Sequence, residues 1–155
     1  MARKPITHEG YKKLRERLEH LQRVEMPKIV KAIEEARAHG DISENAEYHA
    51  AKEQQGIIQA QINDLQTRLS NLEIVDSNQF STDRVSFGTT VLLEDLDSAQ
   101  RVIYQLVGED EADPAEGRIS IISPMAIAML GKEAGDEIKV HTPNGLRKFE
   151  ILEIH

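Results

Sequence analysis

The 155-residue chain contains no cysteine and no tryptophan, and only three phenylalanines and three tyrosines. Without thiols there is neither a disulfide framework nor a thiolate metal site, so any metal must bind through oxygen or imidazole, and the chain suits a reducing compartment. Long apolar runs are absent as well. No stretch approaches the roughly eighteen apolar residues of a membrane span, and the opening MARKPITHEGYKKL has no apolar signal core. A soluble, cytoplasmic protein with no membrane partner is expected. Nor is there a surplus of basic residues: the net charge is −8. Residues 1–75 carry twelve Lys or Arg against twelve Asp or Glu, and residues 76–155 carry seven against fifteen, so the imbalance belongs to the second half. Duplex phosphates repel such a surface, which argues against a general nucleic-acid binder.

What the chain does have is helical periodicity. Tyr48, Ala51, Gln55, Ile58, Ile62, Leu65, Leu69 and Leu72 recur with steps alternating three and four, a heptad seam interrupted only by Gln55. A first stretch reads the same way through Tyr11, Leu14, Leu18 and Leu21, then resumes one residue out of phase as Met26, Ile29, Ile33 and Ala36. Pro27 stands at the slip, which predicts a bend there rather than a break. Thr7 is the candidate N-cap, and the first helix is expected to end at Gly40. Each helix of about thirty residues spans roughly 45 Å. Equal lengths and a short connection predict an antiparallel hairpin with the GDISEN turn at its free tip.

Beyond a linker near residues 76–83 the period becomes alternating. RVSFGTTVLLED, QRVIYQLVG and RISIIS read as strands, DEADPAEG as an acidic loop, and SPMAIAMLG as a short apolar helix whose methionines belong to a core. The last segment, EIKVHTPNGLRKFEILEIH, reads as a hairpin across Asn144-Gly145. The expected class is α+β: a coiled-coil hairpin domain over residues 1–76, then an antiparallel sheet with one short helix over residues 83–155.

The tip concentrates carboxylates: Asp41, Glu44 and Glu47 fall within seven residues. Asp41 and Glu44 have capping-box spacing, and acids at a helix start meet the positive end of the macrodipole. That explains their chemistry but not their display at the end of a rod. Arg37 lies four residues before Asp41 and Lys52 eight after Glu44, so acids with cations just behind them could hold a divalent ion ahead of a polyanion. Two carboxylates alone bind Mg²⁺ weakly, because the ion keeps waters and wants substrate oxygens. Such a tip completes a site supplied by another molecule. Tyr48 and Glu47 read as structural, while Asn45 reads equally as a cap or as a group orienting an acid or phosphate. The six histidines show no metal-ligand spacing.

EARAHGDISENAEYHAAKEQQG closely resembles the tip signature of bacterial transcript-cleavage factors of the GreA type. ITHEGYKKLRERLEHL, VSFGTTVLL, VGEDEAD, ISIISP and LGKEAGDEIKVHTPNG follow in the same order, so the resemblance covers nearly the whole chain. It implies a hairpin that enters the secondary channel of bacterial RNA polymerase, with an FKBP-like C-terminal domain docked at the channel entrance. It also implies that the protein stimulates the polymerase's own hydrolysis of RNA whose 3′ end has been extruded by backtracking, and is not itself an enzyme. On this resemblance Asp41 and Glu44 are the functional acids, sharing a Mg²⁺ ion only in the polymerase complex. Arg37 and Lys52 contact the extruded RNA 3′ end, and Ser123 and Pro124 lie where the family docks. The free protein is expected to be a monomer. The aspartate cluster of the inhibitory Gfh relatives is lacking, which favours an activator. Two other readings stay open: a prolyl isomerase, weakened by the scarcity of aromatics, and a plain coiled-coil adaptor.

Overall fold

The computed structural model describes residues 3–40, 45–76 and 82–155. Its elements are β1 (Lys4–Ile6), α1 (His8–His20), a π-helical turn (Leu21–Glu25), α2 (Met26–Arg37), α3 (Ala46–Ser70) and β2 (Leu72–Ile74). The remainder comprises β3 (Thr90–Asp95), β4 (Arg101–Val107), a 3₁₀ turn (Pro114–Glu116), β5 (Arg118–Ser120), α4 (Pro124–Met129), β6 (Glu137–Thr142) and β7 (Gly145–Ile154). By contacts the chain divides into Tyr11–Asn71 and a second unit that joins Met1–Gly10 to Leu72–His155.

In the helical unit the apolar seam is buried as its period requires. Leu18, Leu21, Ile58 and Ile62 form the central cluster, with Met26, Ile29, Leu65 and Leu69 packed around it. The phase slip has a local cause. Met26 donates its backbone N–H to the carbonyl of Leu21, five residues back, so one wide turn takes up the extra residue. His20, Glu25 and Met26 all keep right-handed helical dihedrals, and the helix runs through the slip without interruption. Pro27 sits at the start of α2, four residues after Arg23. A proline ring presses on the carbonyl of the fourth residue before it, and the widened turn accommodates that pressure.

Two expectations for the hairpin are corrected. α2 ends at Arg37, not Gly40: Ala38 is its C-cap, and Gly40 takes φ +120°, beyond the last helical turn. A glycine that can turn left-handed marks where the chain has left the helix, not the last residue in it. The helices are also unequal. α3 has 25 residues, roughly 37 Å at 1.5 Å per residue.

The globular unit is built on a five-stranded sheet of order β5-β4-β3-β7-β6. Val91, Leu93, Ile138, Val140, Phe149 and Ile151 alternate inward along its strands, and Ala126 and Met129 of α4 close over them. The α+β class holds, with the sheet mixed rather than wholly antiparallel: β5 pairs parallel to β4 in the register Leu106–Ile119. The intervening stretch 108–117 carries the chain back to the start of β4's neighbour, where a tight turn would have forced an antiparallel pair. β3 begins at Thr90, later than the RVSFGTTVLLED run suggested, because Gly88 turns at φ +85° and the Thr89 hydroxyl donates to the Ser86 carbonyl at 2.7 Å. The last hairpin pairs Thr142 with Gly145, so Pro143 and Asn144 form its turn and Asn144-Gly145 does not. Pro143 explains the shift. With Asn144-Gly145 as the central residues it would have to pair with Leu146 and donate an N–H that proline lacks.

Outside that sheet, β1 and β2 pair in parallel, Lys4 opposite Leu72 and Ile6 opposite Ile74. Glu111 secures the same region. Its buried carboxylate accepts hydrogen bonds from the Thr7 backbone N–H at 2.7 Å, the Gly108 N–H at 3.0 Å and Arg118 Nη2 at 2.8 Å, and from the Thr7 hydroxyl. The Thr7 hydroxyl oxygen in turn accepts from Gly10 N at 3.0 Å, which makes it the expected N-cap of α1. Gly10 and Gly108 are glycine because a Cβ at either would overlap Glu111 or the Pro5 carbonyl. A second buried carboxylate, Asp95, ends the inward row of β3. It accepts from the Asp97 N–H at 2.9 Å and the Ser98 N–H at 3.3 Å, and it pairs with Arg147, whose guanidinium also lies over the Phe149 ring at 5.4 Å.

Replacing Glu111 with alanine strands Arg118 and two backbone donors, and is expected to lower stability by about 3 kcal/mol, read as a fall in the urea midpoint at unchanged slope. The Arg147 guanidinium, followed by the Asp97 N–H, holds the Asp95 carboxyl below its ordinary value. A carboxylate with a depressed folded pKa stabilises above its unfolded value of about 3.9 and loses that contribution as pH falls through the lower folded one. Asp95→Asn is therefore expected to be less stable than wild type at neutral pH. The gap should narrow as urea unfolding is repeated from about pH 4 downward.

Candidate functional site

The hairpin end is framed by the last turn of α2 and the first turn of α3. Asn45, with extended dihedrals of φ −86° and ψ 99°, is the N-cap of α3. Its Oδ1 accepts from Tyr48 N at 3.1 Å, and its Nδ2 donates to the Ala36 carbonyl at 2.5 Å. Arg37 closes α2 with its guanidinium 5.8 Å from the centre of the Tyr48 ring, a cation–π contact across the hairpin. Tyr48 also meets His49 edge to face at 5.6 Å. Glu47 lies in the first turn of α3, where a carboxylate suits the helix dipole. Lys52 is exposed one turn further along and donates to Gln55 Oε1 at 3.1 Å.

Asp41 and Glu44, the two acids singled out in the sequence, lie outside the described residues. The N-cap of α3 is Asn45, which is one of the two roles its sequence position suggested. Among the described residues no group of three or more His, Cys, Asp or Glu is arranged to hold a metal ion. Of the predicted site residues, Arg37 is brought against Tyr48 at the hairpin end, while Lys52 engages its own helix.

Ser123 and Pro124 begin α4 in the globular unit. The Ser123 hydroxyl accepts from Ala126 N at 3.2 Å, and Pro124 occupies the first helical position, where a missing N–H costs nothing. The helix buries Ala126 and Met129, yet Ile122 and Ile127 stay 61% and 60% exposed beside Pro124. The SPMAIAMLG segment therefore has two faces, one core and one solvent, where the sequence suggested core alone. Asn45's bond across the hairpin and the Glu111 cluster were not anticipated. Spacing within one helix cannot register a bond that reaches back nine residues to another.

Residues 4–74 match the family described as transcription elongation factor, N-terminal, and residues 80–155 match transcription elongation factor, GreA/GreB, C-terminal. The chain belongs to the GreA/GreB family of transcription elongation factors. Among curated relatives it is 53% identical to transcription elongation factor GreA of Desulfotalea psychrophila over 97% of this chain and 93% of that protein. It is 50% identical to GreA of Syntrophobacter fumaroxidans over 99% of both. Among solved structures the transcription factor Gfh1 aligns over 100% of this chain and 99% of its own, at 32% identity and a TM-score of 0.47. No helix among the described residues of this GreA/GreB family member is long and apolar enough to cross a membrane.

Ser123→Ala removes the α4 cap and is expected to cost about 1 kcal/mol, measured as a lowered urea midpoint of the full chain.

Proposed function

We propose that this elongation factor inserts its hairpin end into the secondary channel of bacterial RNA polymerase and stimulates the enzyme's own Mg²⁺-dependent cleavage of backtracked RNA. Arrested complexes would thereby be rescued. The observation that carries the reading is that the family models for both halves of these elongation factors match this chain, over residues 4–74 and 80–155.

The donor chemistry suits the ion. Two carboxylates offer hard oxygen ligands, too few for tight binding alone and appropriate to Mg²⁺ that retains waters and phosphate oxygens. In the complex the ion would supply charge stabilisation and a more acidic attacking water. Asp41 and Glu44 would help hold the ion and orient its water. Arg37 and Lys52, both exposed at the hairpin end, would engage phosphates of the extruded RNA 3′ end, Arg37 through its guanidinium fork and Lys52 as a point charge. Docking is assigned to Ser123 and Pro124, flanked by the exposed Ile122 and Ile127. An apolar patch of that kind, rimmed by polar residues, suits a protein interface. The protein itself is not the hydrolase: it supplies ligands and orientation to a reaction whose scaffold is the polymerase.

With a stalled elongation complex and Mg²⁺, the wild-type protein is expected to release short 3′ RNA fragments, and alone to cleave nothing. Asp41→Asn should reduce stimulated cleavage by on the order of a hundredfold while still competing with wild type for the polymerase. Undiminished cleavage by the variant would instead favour a plain adaptor.

A further inference from the structure

We infer that Asn144 is a site of spontaneous covalent modification, where the turn between β6 and β7 loses a side-chain amide as ammonia and gains a carboxylate. The chain has five asparagines, and only this one precedes a glycine. The turn requires that glycine: Gly145 takes φ +116°, a conformation strained for any residue with a Cβ. No atom lies within 4 Å of the place a Cβ would occupy, so nothing packs over the glycine. Asn144 is exposed as well, and among the described residues its amide makes no hydrogen bond. Exposed tips of this kind are where a chain is most open to chemical change, and asparagine is one of its thermolabile residues.

The other asparagines are guarded by what holds or follows them. Asn45 uses both ends of its amide, for Tyr48 N and the Ala36 carbonyl, and Ala46 follows it. Asn63 sits inside α3, where it accepts from Gln59 Nε2 at 3.0 Å, and Asp64 follows it. Asn71 and Asn78 precede Leu72 and Gln79, whose side chains crowd the attacking nitrogen.

The chemistry needs only water. The Gly145 nitrogen attacks Asn144 Cγ, a C–N bond forms, and the side-chain nitrogen leaves as ammonia together with the proton of the peptide N–H. Water then adds at either carbonyl of the resulting succinimide and reopens it. Breaking the new bond gives aspartate, and breaking the original peptide bond gives isoaspartate. Thr142 and Gly145 form the last rung of the β6–β7 ladder, and an end rung opens locally without global unfolding, so the ring can close there. Isoaspartate routes the backbone through Cβ and lengthens the turn. That added length falls just ahead of Arg147, the partner of the buried Asp95.

The test incubates the full-length protein at mildly alkaline pH and follows each asparagine by peptide mass mapping. Asn144→Gln, whose longer side chain must form a larger and slower ring, is incubated beside it. Wild type is expected to lose the Asn144 amide, with isoaspartate among the products, while the other four asparagines stay intact; Asn144→Gln should lose none. Converted wild type should show a lowered urea midpoint. Fresh Asn144→Asp, which carries the charge on an unaltered backbone at an exposed position, should match fresh wild type. An Asn144 amide that survives as long as the other asparagines would overturn the site. A converted protein with the midpoint of fresh wild type would overturn its effect on the hairpin.

Discussion

Two long helices that bury a single edge must keep that edge facing one partner along their whole length, and the rest of the hairpin depends on this register. The first helix carries one residue more than the seam allows. Left uncorrected, every downstream contact would rotate by about 100°, exposing Met26, Ile29 and Ile33. The π-helical turn at Leu21–Glu25 absorbs the extra residue and returns those side chains to α3. Only with that phase restored does Ala36 arrive opposite Asn45 and Arg37 opposite Tyr48, so the geometry of the hairpin end is set by an adjustment made four turns earlier.

The globular unit solves a different problem, that of joining both ends of the hairpin to a small sheet without exposing backbone donors. The parallel β1–β2 pair binds the two connecting segments, and Glu111 collects the donors that pairing leaves over: two backbone N–H groups, a hydroxyl and a guanidinium. A buried carboxylate is tolerable only when so fully satisfied. Asp95 follows the same rule at the end of β3, where an inward position would ordinarily be apolar. The acidic excess of the second half is thus partly structural. It is not solely a surface property.

The helical seam was legible because its cause is local and repeats; from Tyr48 to Leu72 every predicted seam position is at least partly buried. The strands β3, β4, β6 and β7 were legible for the same reason, though Pro143 and Gly88 moved their ends. β1 and β2 have three residues each, too few for alternation to register, and the β4–β5 pairing depends on where a loop returns. At the candidate site Arg37 and Lys52 were placed by their spacing from the acids, and Asp41 and Glu44 by resemblance. Asn45 was read as either a cap or an orienting group, and the Tyr48 N–H donating to its Oδ1 shows the cap. Glu111 was illegible in principle: its partner Thr7 lies 104 residues away.

The central claim is that the hairpin end works inside the polymerase, beside the extruded RNA. Because the chain has no cysteine, His39→Cys creates a unique thiol next to the acids, to which a short photo-crosslinker can be attached in the full-length protein. Illumination of a backtracked complex is predicted to join residue 39 to the RNA at its 3′ terminus, and to lose that product when the RNA is not backtracked. Crosslinks confined to the outer surface of the polymerase, with none to RNA in either state, would contradict the account.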